Sequence, residues 1–176
     1  MAIAGFVMGY VSILVTTAFL AAMFLPALAK AKDKAQSIKC TNNMKLIGLA
    51  FRLWSTDHGD EYPFNRSARE GGTKELCDRD TENFDKNAAR HFQVLSNELA
   101  RPNLLICPAD SSKKPALDFR SLAAANVSYR LRTGTNVSET NPSQLLIQCP
   151  IHGHVGLADG SVQQFDPLRL NRISGK

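Results

Sequence analysis

The first 29 residues, Met1 to Ala29, lack any charged side chain. From Ile3 to Leu25 nearly every residue is apolar, with small residues between the large ones. This absence excludes an ordinary amphipathic helix, which would show a polar face. The run is long enough to cross a bilayer, for which a helix needs about 20 apolar residues. It exceeds the apolar part of a secretory signal and no Lys or Arg precedes it, so a retained transmembrane helix half over residues 1–29 is favoured over a cleaved signal.

The sequence also lacks the short motifs that mark common enzymes. It contains no G-x-S-x-G elbow, no P-loop and no H-E-x-x-H pair. No spacing brings a nucleophile close to a base, so we predict that the protein is not an enzyme. The net charge is +5 and the pI about 9.2, but the basic residues form no stripe with stacking aromatics. Nucleic acid is therefore not an expected partner.

No two cysteines form a C-x-x-C pair, which argues against a zinc knuckle or a thioredoxin-like site. An even number of well-separated cysteines is typical of disulfides in an oxidising compartment. Four cysteines allow three pairings, and the sequence alone does not choose among them. Buried free thiols are the alternative. The disulfide candidates are Cys40, Cys77, Cys107 and Cys149.

Helix-forming residues continue the apolar run without a clear break. Ile47, Phe51 and Trp54 recur at spacings of three and four, which predicts an amphipathic helix half over residues 30–56. We therefore predict one long helix from about Gly5 to about Thr56. Pro26 cannot donate a backbone hydrogen bond and is expected to kink this helix.

The rest of the chain predicts a smaller α+β head. Residues 62–86 are polar and are interpreted as a long surface loop, and the sequence NAARHFQVLSNEL predicts a short amphipathic helix. Asp159-Gly160 stands between two strand-like runs, residues 154–158 and 161–165, and predicts a hairpin. The predicted fold is a long kinked helix packed on a small antiparallel sheet.

Two weak metal patterns accompany this layout, although the favoured expectation is no cofactor. Two histidines two positions apart share one face of a strand, and a carboxylate follows them. This set is His152, His154 and Asp159. Oxygen ligands near the predicted helix end suggest calcium instead. That set is Asp57, Asp60 and Glu61.

Several segments resemble the type IV prepilin-like proteins, including the pseudopilins of type II secretion. Near the start these are residues 20–32 (LAAMFLPALAKAK) and 40–50 (CTNNMKLIGLA). Near the end they are residues 107–110 (CPAD) and 158–162 (ADGSV). The second of these follows the His-Gly pair at 152–153. The resemblance covers both ends of the chain and leaves residues 66–90 unmatched.

The resemblance implies a pilin-like fold with residues 1–29 in a bacterial inner membrane and residues 30–176 as a head in the periplasm, or an extracellular filament. It implies cleavage by a prepilin peptidase at Gly5-Phe6. The family's assembly glutamate would fall at Tyr10, or at Gly9 if Pro26 sets the alignment, and neither side chain is acidic. Small residues such as Gly9 suit close helix packing.

These observations predict a structural subunit of a pilus, pseudopilus or other cell-envelope filament. The expected partners are membrane lipid, copies of the chain or related pilin-like subunits, the prepilin peptidase and secretion machinery. The alternative is an unpolymerised, membrane-anchored binding module or an accessory subunit of a membrane complex.

Overall fold

The computed structural model describes the backbone of residues 2–164 and the side chains of residues 24–164. The class is α+β, as the sequence predicts: a long helix is combined with a four-stranded antiparallel sheet. By internal contacts the chain divides into residues 1–36 and residues 37–176. The predicted division into residues 1–29 and 30–176 stays a prediction.

Helix α1 covers Ala2–Asp57 and continues through Pro26. Within residues 37–57, one face of α1 supplies the main part of the core. Met44, Ile47, Phe51 and Trp54 lie on that face and are buried. Their spacing of three or four residues places them on one side of a helix with 3.6 residues per turn. The predicted amphipathic stripe is therefore confirmed.

The sheet is built from strands β1 (Arg130–Leu131), β2 (Leu145–Gln148), β3 (His154–Leu157) and β4 (Val162–Gln164). The strands are antiparallel neighbours in that order. β2 and β3 are the most buried because both pack into the core. The predicted hairpin is confirmed, with a three-residue loop of Ala158, Asp159 and Gly160 rather than the two-residue turn. Gly160 has φ +81°, the left-handed conformation that such loops require.

The predicted surface loop, residues 62–86, is more buried than its polarity indicates. It contains three short 3-10 helices, Pro63–Asn65, Ala68–Glu70 and Lys74–Leu76. Tyr62 and Phe64 are buried against Phe51, with ring centroids 5.6 and 5.8 Å away. Few apolar residues are thus enough to anchor the segment, because the ones present are large.

Helix α2 covers Ala88–Val94 and is shorter than the predicted segment. The chain leaves the helix at Leu95 and continues in turns, yet Leu95 and Leu99 remain buried. The amide of Leu99 donates to the carbonyl of Leu95 at 2.8 Å, which keeps one helical turn. The apolar pattern therefore identified the buried side chains correctly.

In the described part of the chain, no helix combines the length and the apolar content needed to cross a membrane. This finding corrects the predicted location of the chain in a bacterial inner membrane with the head in the periplasm. Most of the apolar run from Ile3 to Leu25 lies outside the residues whose side chains are described.

Candidate functional site: a thiol cluster and an exposed helix face

Three cysteines and a histidine from distant parts of the sequence meet in the head. Cys40 lies on α1, Cys107 follows the 3-10 helix Pro102–Leu105, and Cys149 directly follows β2. His152 lies in the turn between β2 and β3. One ligand atom from each of the four side chains lies within 4.8 Å of the others. The three cysteines are fully buried and His152 is half-buried.

The turn from Cys149 to Gly153 positions two of these side chains. The amide of Gly153 donates to the carbonyl of Cys149 at 3.0 Å, and Gly153 adopts φ +66°. This tight turn lets the backbone amide of His152 donate to the Cys149 sulfur at 3.5 Å. The Nδ1 atom of His152 lies 3.2 Å from the Cys107 sulfur and 4.0 Å from the Cys149 sulfur.

The protein environment shifts the pKa values of the three thiols in different directions. A hydrogen bond from the Cys40 thiol, together with backbone amides of Ile151 and His152, lowers the pKa of Cys149 to about 5. The same contact raises the pKa of Cys40, and burial raises the pKa of Cys107 to about 11. The Tyr129 hydroxyl donates to the Cys40 sulfur at 3.6 Å. Of the three cysteines, Cys149 is therefore the one whose thiolate form is most favoured by its surroundings.

The structure brings only one of the three predicted metal residues, His152, into this cluster. The His154 ring is stacked on that of His152 with centroids 5.6 Å apart, but its Nε2 pairs with the Ser37 hydroxyl at 2.8 Å. The Asp159 carboxylate lies in the hairpin loop and accepts from the amide of Ser161. Sequence reasoning missed the cysteines as partners because it sought C-x-x-C. The signal present is C-x-x-H, from Cys149 to His152.

All four cysteines are free thiols in the structure. Cys40, Cys107 and Cys149 are mutual neighbours, whereas Cys77 lies in a different group. Disulfide pairing stays a prediction. Among residues 24–164, two groups of side chains are close enough together to hold a metal ion, and neither contains the acidic set predicted for calcium, Asp57, Asp60 and Glu61.

The second group consists of Cys77, Asp85 and His91. Asp85 and His91 are fully buried, with Oδ2 and Nε2 3.3 Å apart, and Thr73 pairs with His91 Nδ1 at 2.7 Å. The Cys77 thiol donates instead to the carbonyl of Phe64 at 3.5 Å. Both imidazole nitrogens thus face other protein groups, so this arrangement does not present a base to the thiol. It joins the segment 62–86 to α2.

An open cavity of about 470 Å³ lies beside this group. Its wall carries three cationic side chains, Lys74, Arg79 and Arg132, and no carboxylate. None of the three forms an ion pair with another described residue. The Oδ1 atom of Asn65, also on the wall, is buried without a hydrogen-bond partner in the described structure.

Helix α1 carries a second apolar row on the side away from the core. Ile38, Leu46, Leu49 and Leu53 are each about half exposed. At 100° per residue, these four positions fall within an arc of about 80°. The helix in this part is therefore apolar on two faces, one buried and one open to solvent.

Residues 24–36 form the described side chains of the first unit. Phe24, Leu25 and Leu28 are each about two-thirds exposed. Ala31 and Ala35 are also exposed and fall on the same side of the helix as Phe24 and Leu28. This segment also presents apolar surface to solvent.

The predicted processing junction, Gly5 and Phe6, and the predicted assembly positions Gly9 and Tyr10 lie in α1 but outside the residues whose side chains are described. Pro26 lies inside the helix. No family model, curated protein or solved structure matches the chain.

Proposed function

We propose that the chain is a non-enzymatic structural subunit of a pilin-like or pseudopilin-like filament. It packs against copies of itself or against related subunits through α1. The single observation that carries this proposal is the exposed apolar row Ile38, Leu46, Leu49 and Leu53. The resemblance of both ends of the sequence to prepilin-like proteins supports the same function.

The energetics favour a partner for this row. A monomeric helix needs one apolar face to bind its own core, and α1 has a second one. Burying the exposed half of one Leu side chain contributes about 1 kcal/mol, because full burial contributes roughly 1.5–3 kcal/mol. Contiguous exposed apolar surface of this kind marks interaction sites. The exposed Phe24, Leu25 and Leu28 of residues 24–36 add to the surface available for packing.

The experiment compares the full chain with two matched double variants by sedimentation velocity over a range of concentrations. Leu49→Gln/Leu53→Gln changes the exposed row, whereas Leu76→Gln/Leu117→Gln changes two exposed leucines elsewhere. The first variant is expected to raise the dissociation constant of self-association at least tenfold, which corresponds to about 1.4 kcal/mol. The control leaves it unchanged. Equal weakening in both variants, or in neither, contradicts the proposal.

The cavity lined by Lys74, Arg79 and Arg132 favours a second candidate function, a module that binds an anionic ligand. Three unpaired cations around a concave surface attract phosphate, sulfate or carboxylate groups. The unpartnered Asn65 Oδ1 can accept a hydrogen bond from a ligand hydroxyl.

Isothermal titration calorimetry of the full chain with inorganic phosphate tests this function. Arg132→Gln is expected to weaken binding at least tenfold. Arg120→Gln, an exposed arginine outside the cavity, is expected to leave it unchanged. No measurable phosphate binding by the unmodified chain removes this candidate.

A further inference from the structure

We propose that Cys40, Cys107, Cys149 and His152 bind one Zn²⁺ ion in a closed, structural site. The proposal is independent of filament assembly. It rests on the geometry of four side chains that come from three separate segments of the chain.

The spacing of the ligand atoms fits tetrahedral zinc. With Zn–S about 2.3 Å and Zn–N about 2.0–2.1 Å, neighbouring ligand atoms of a tetrahedron lie about 3.5–3.8 Å apart. The His152 Nδ1 atom lies 3.2 Å from the Cys107 sulfur and 4.0 Å from the Cys149 sulfur. These two distances bracket the tetrahedral value, and all four ligand atoms lie within 4.8 Å of one another. Small rotations of the side chains would complete the site.

The identity of the ligands selects the metal. Three thiolates and one imidazole form the Cys₃His set of structural zinc sites. The set has no carboxylate, which makes calcium or magnesium a poor fit, since both prefer oxygen ligands. Four protein ligands also leave no open position for water, so the site has a structural rather than a catalytic form.

The surroundings of the sulfurs support metal binding. The backbone amide of His152 donates to the Cys149 sulfur, and the Tyr129 hydroxyl donates to the Cys40 sulfur. Donors of this kind hold thiolate ligands in place and neutralise part of their charge. The three cysteines are fully buried, and His152 is the one member of the set that is partly exposed to solvent.

A disulfide bond is the alternative to metal binding for the same cysteines. Three neighbouring cysteines can form only one disulfide, which leaves the third thiol and His152 without a common role. A metal ion uses all four side chains at once. It would connect α1, the segment after Pro102–Leu105 and the β2–β3 turn, so its binding would stabilise the fold by linkage.

The test uses the full chain, reduced and stripped of metal by a chelator. Zn²⁺ is expected to bind at one ion per chain and to raise Tm by about 10 °C at a thousandfold excess over Kd. Co²⁺ in place of Zn²⁺ is expected to give the intense visible bands of a tetrahedral site and a thiolate-to-cobalt charge-transfer band. Both spectral signals report on ligand geometry rather than on folding alone.

Three variants make the test specific. Cys149→Ser is expected to lose stoichiometric metal, and Cys77→Ser, which removes the thiol outside the cluster, is expected to retain it. If Cys149→Ser does not fold, His152→Gln in the half-buried turn is expected to fold and to bind Co²⁺ at least tenfold more weakly. No stoichiometric metal on the reduced chain overturns the proposal, as does equal loss in Cys77→Ser. A disulfide between two of the three cysteines in the chain purified without reductant also overturns it.

Discussion

Gly48 of helix α1 lies directly against Gly160 of the β3–β4 hairpin. A Cβ atom placed on Gly48 would be 3.1 Å from the Cα of Gly160, closer than most van der Waals contacts. The absence of a side chain on Gly48 lets the helix and the hairpin loop approach at backbone distance. Gly48 belongs to the segment 40–50 and Gly160 to the segment 158–162. Two segments that are far apart in the sequence therefore meet at this contact.

Gly48→Leu is expected to lower the free energy of unfolding by about 2 kcal/mol, because a larger side chain overpacks a backbone contact. The gain in helix propensity from replacing glycine, about 1 kcal/mol, does not offset this cost. Urea unfolding followed by circular dichroism measures the change. Lys45→Leu, at an exposed position of the same helix, should change stability by less than about 0.5 kcal/mol. A stable Gly48→Leu variant would mean that the helix and hairpin are not in close contact.

Asp85→Asn is expected to destabilise the fold by about 3 kcal/mol at neutral pH, because it replaces a buried carboxylate that accepts hydrogen bonds from the Thr133 hydroxyl and the amide of Asn87. Burial alone would raise the pKa of Asp85, but hydrogen bonds from His91, Thr133 and the amide of Asn87 hold it below the ordinary value of 3.8. The folded state therefore binds this proton less readily than the unfolded state. The stabilisation is complete above about pH 4 and is lost as the pH falls through the depressed pKa.

Chemical denaturation at several pH values checks this assignment. As the pH falls below about 4, the unmodified chain should lose stability more steeply than Asp85→Asn. Asp57→Asn, at the exposed end of α1, is the control and should keep the slope of the unmodified chain. Parallel slopes for the unmodified chain and Asp85→Asn would rule out the proposed role of this carboxylate.

Tyr62→Phe is expected to cost about 1–2 kcal/mol. The Tyr62 hydroxyl donates to the carbonyl of Ala158 at 2.6 Å in the core, and its loss leaves that carbonyl without this donor. Thermal unfolding measures the effect. Thr140→Ala, which removes an exposed hydroxyl, should leave Tm nearly unchanged. A neutral Tyr62→Phe would show that the hydrogen bond contributes little.

Periodic patterns made the helix and the hairpin predictable from the sequence. The buried residues of α1 recur every three or four positions, and Asp159-Gly160 has the composition of a hairpin loop. Both signals are local, because neighbouring residues determine helix and turn geometry. The extra residue in the loop was not predictable, since it depends on whether Ala158 pairs with β4 or joins the turn.

The thiol cluster could not be predicted in the same way. Only the pair Cys149 and His152 is local, and a C-x-x-H pair is common by chance. Cys40 and Cys107 come close to this pair only when the fold brings α1 and the segment that follows Pro102–Leu105 together with the β2–β3 turn. The burial of Tyr62 and Phe64 within residues 62–86 was missed for a related reason. Tyr62 and Phe64 are isolated in sequence and become core residues through contacts with the distant Phe51.

The most direct test of the proposed function is site-specific photocross-linking of the full chain in the cells that produce it. A photoreactive phenylalanine analogue replaces Leu49 on the exposed row of α1 or, as the matched control, the fully exposed Leu117. Assembly through α1 predicts an adduct from position 49, with the mass of two chains or of the chain plus a related subunit, and none from position 117. No adduct from position 49, or equal adducts from both positions, would contradict assembly through this helix.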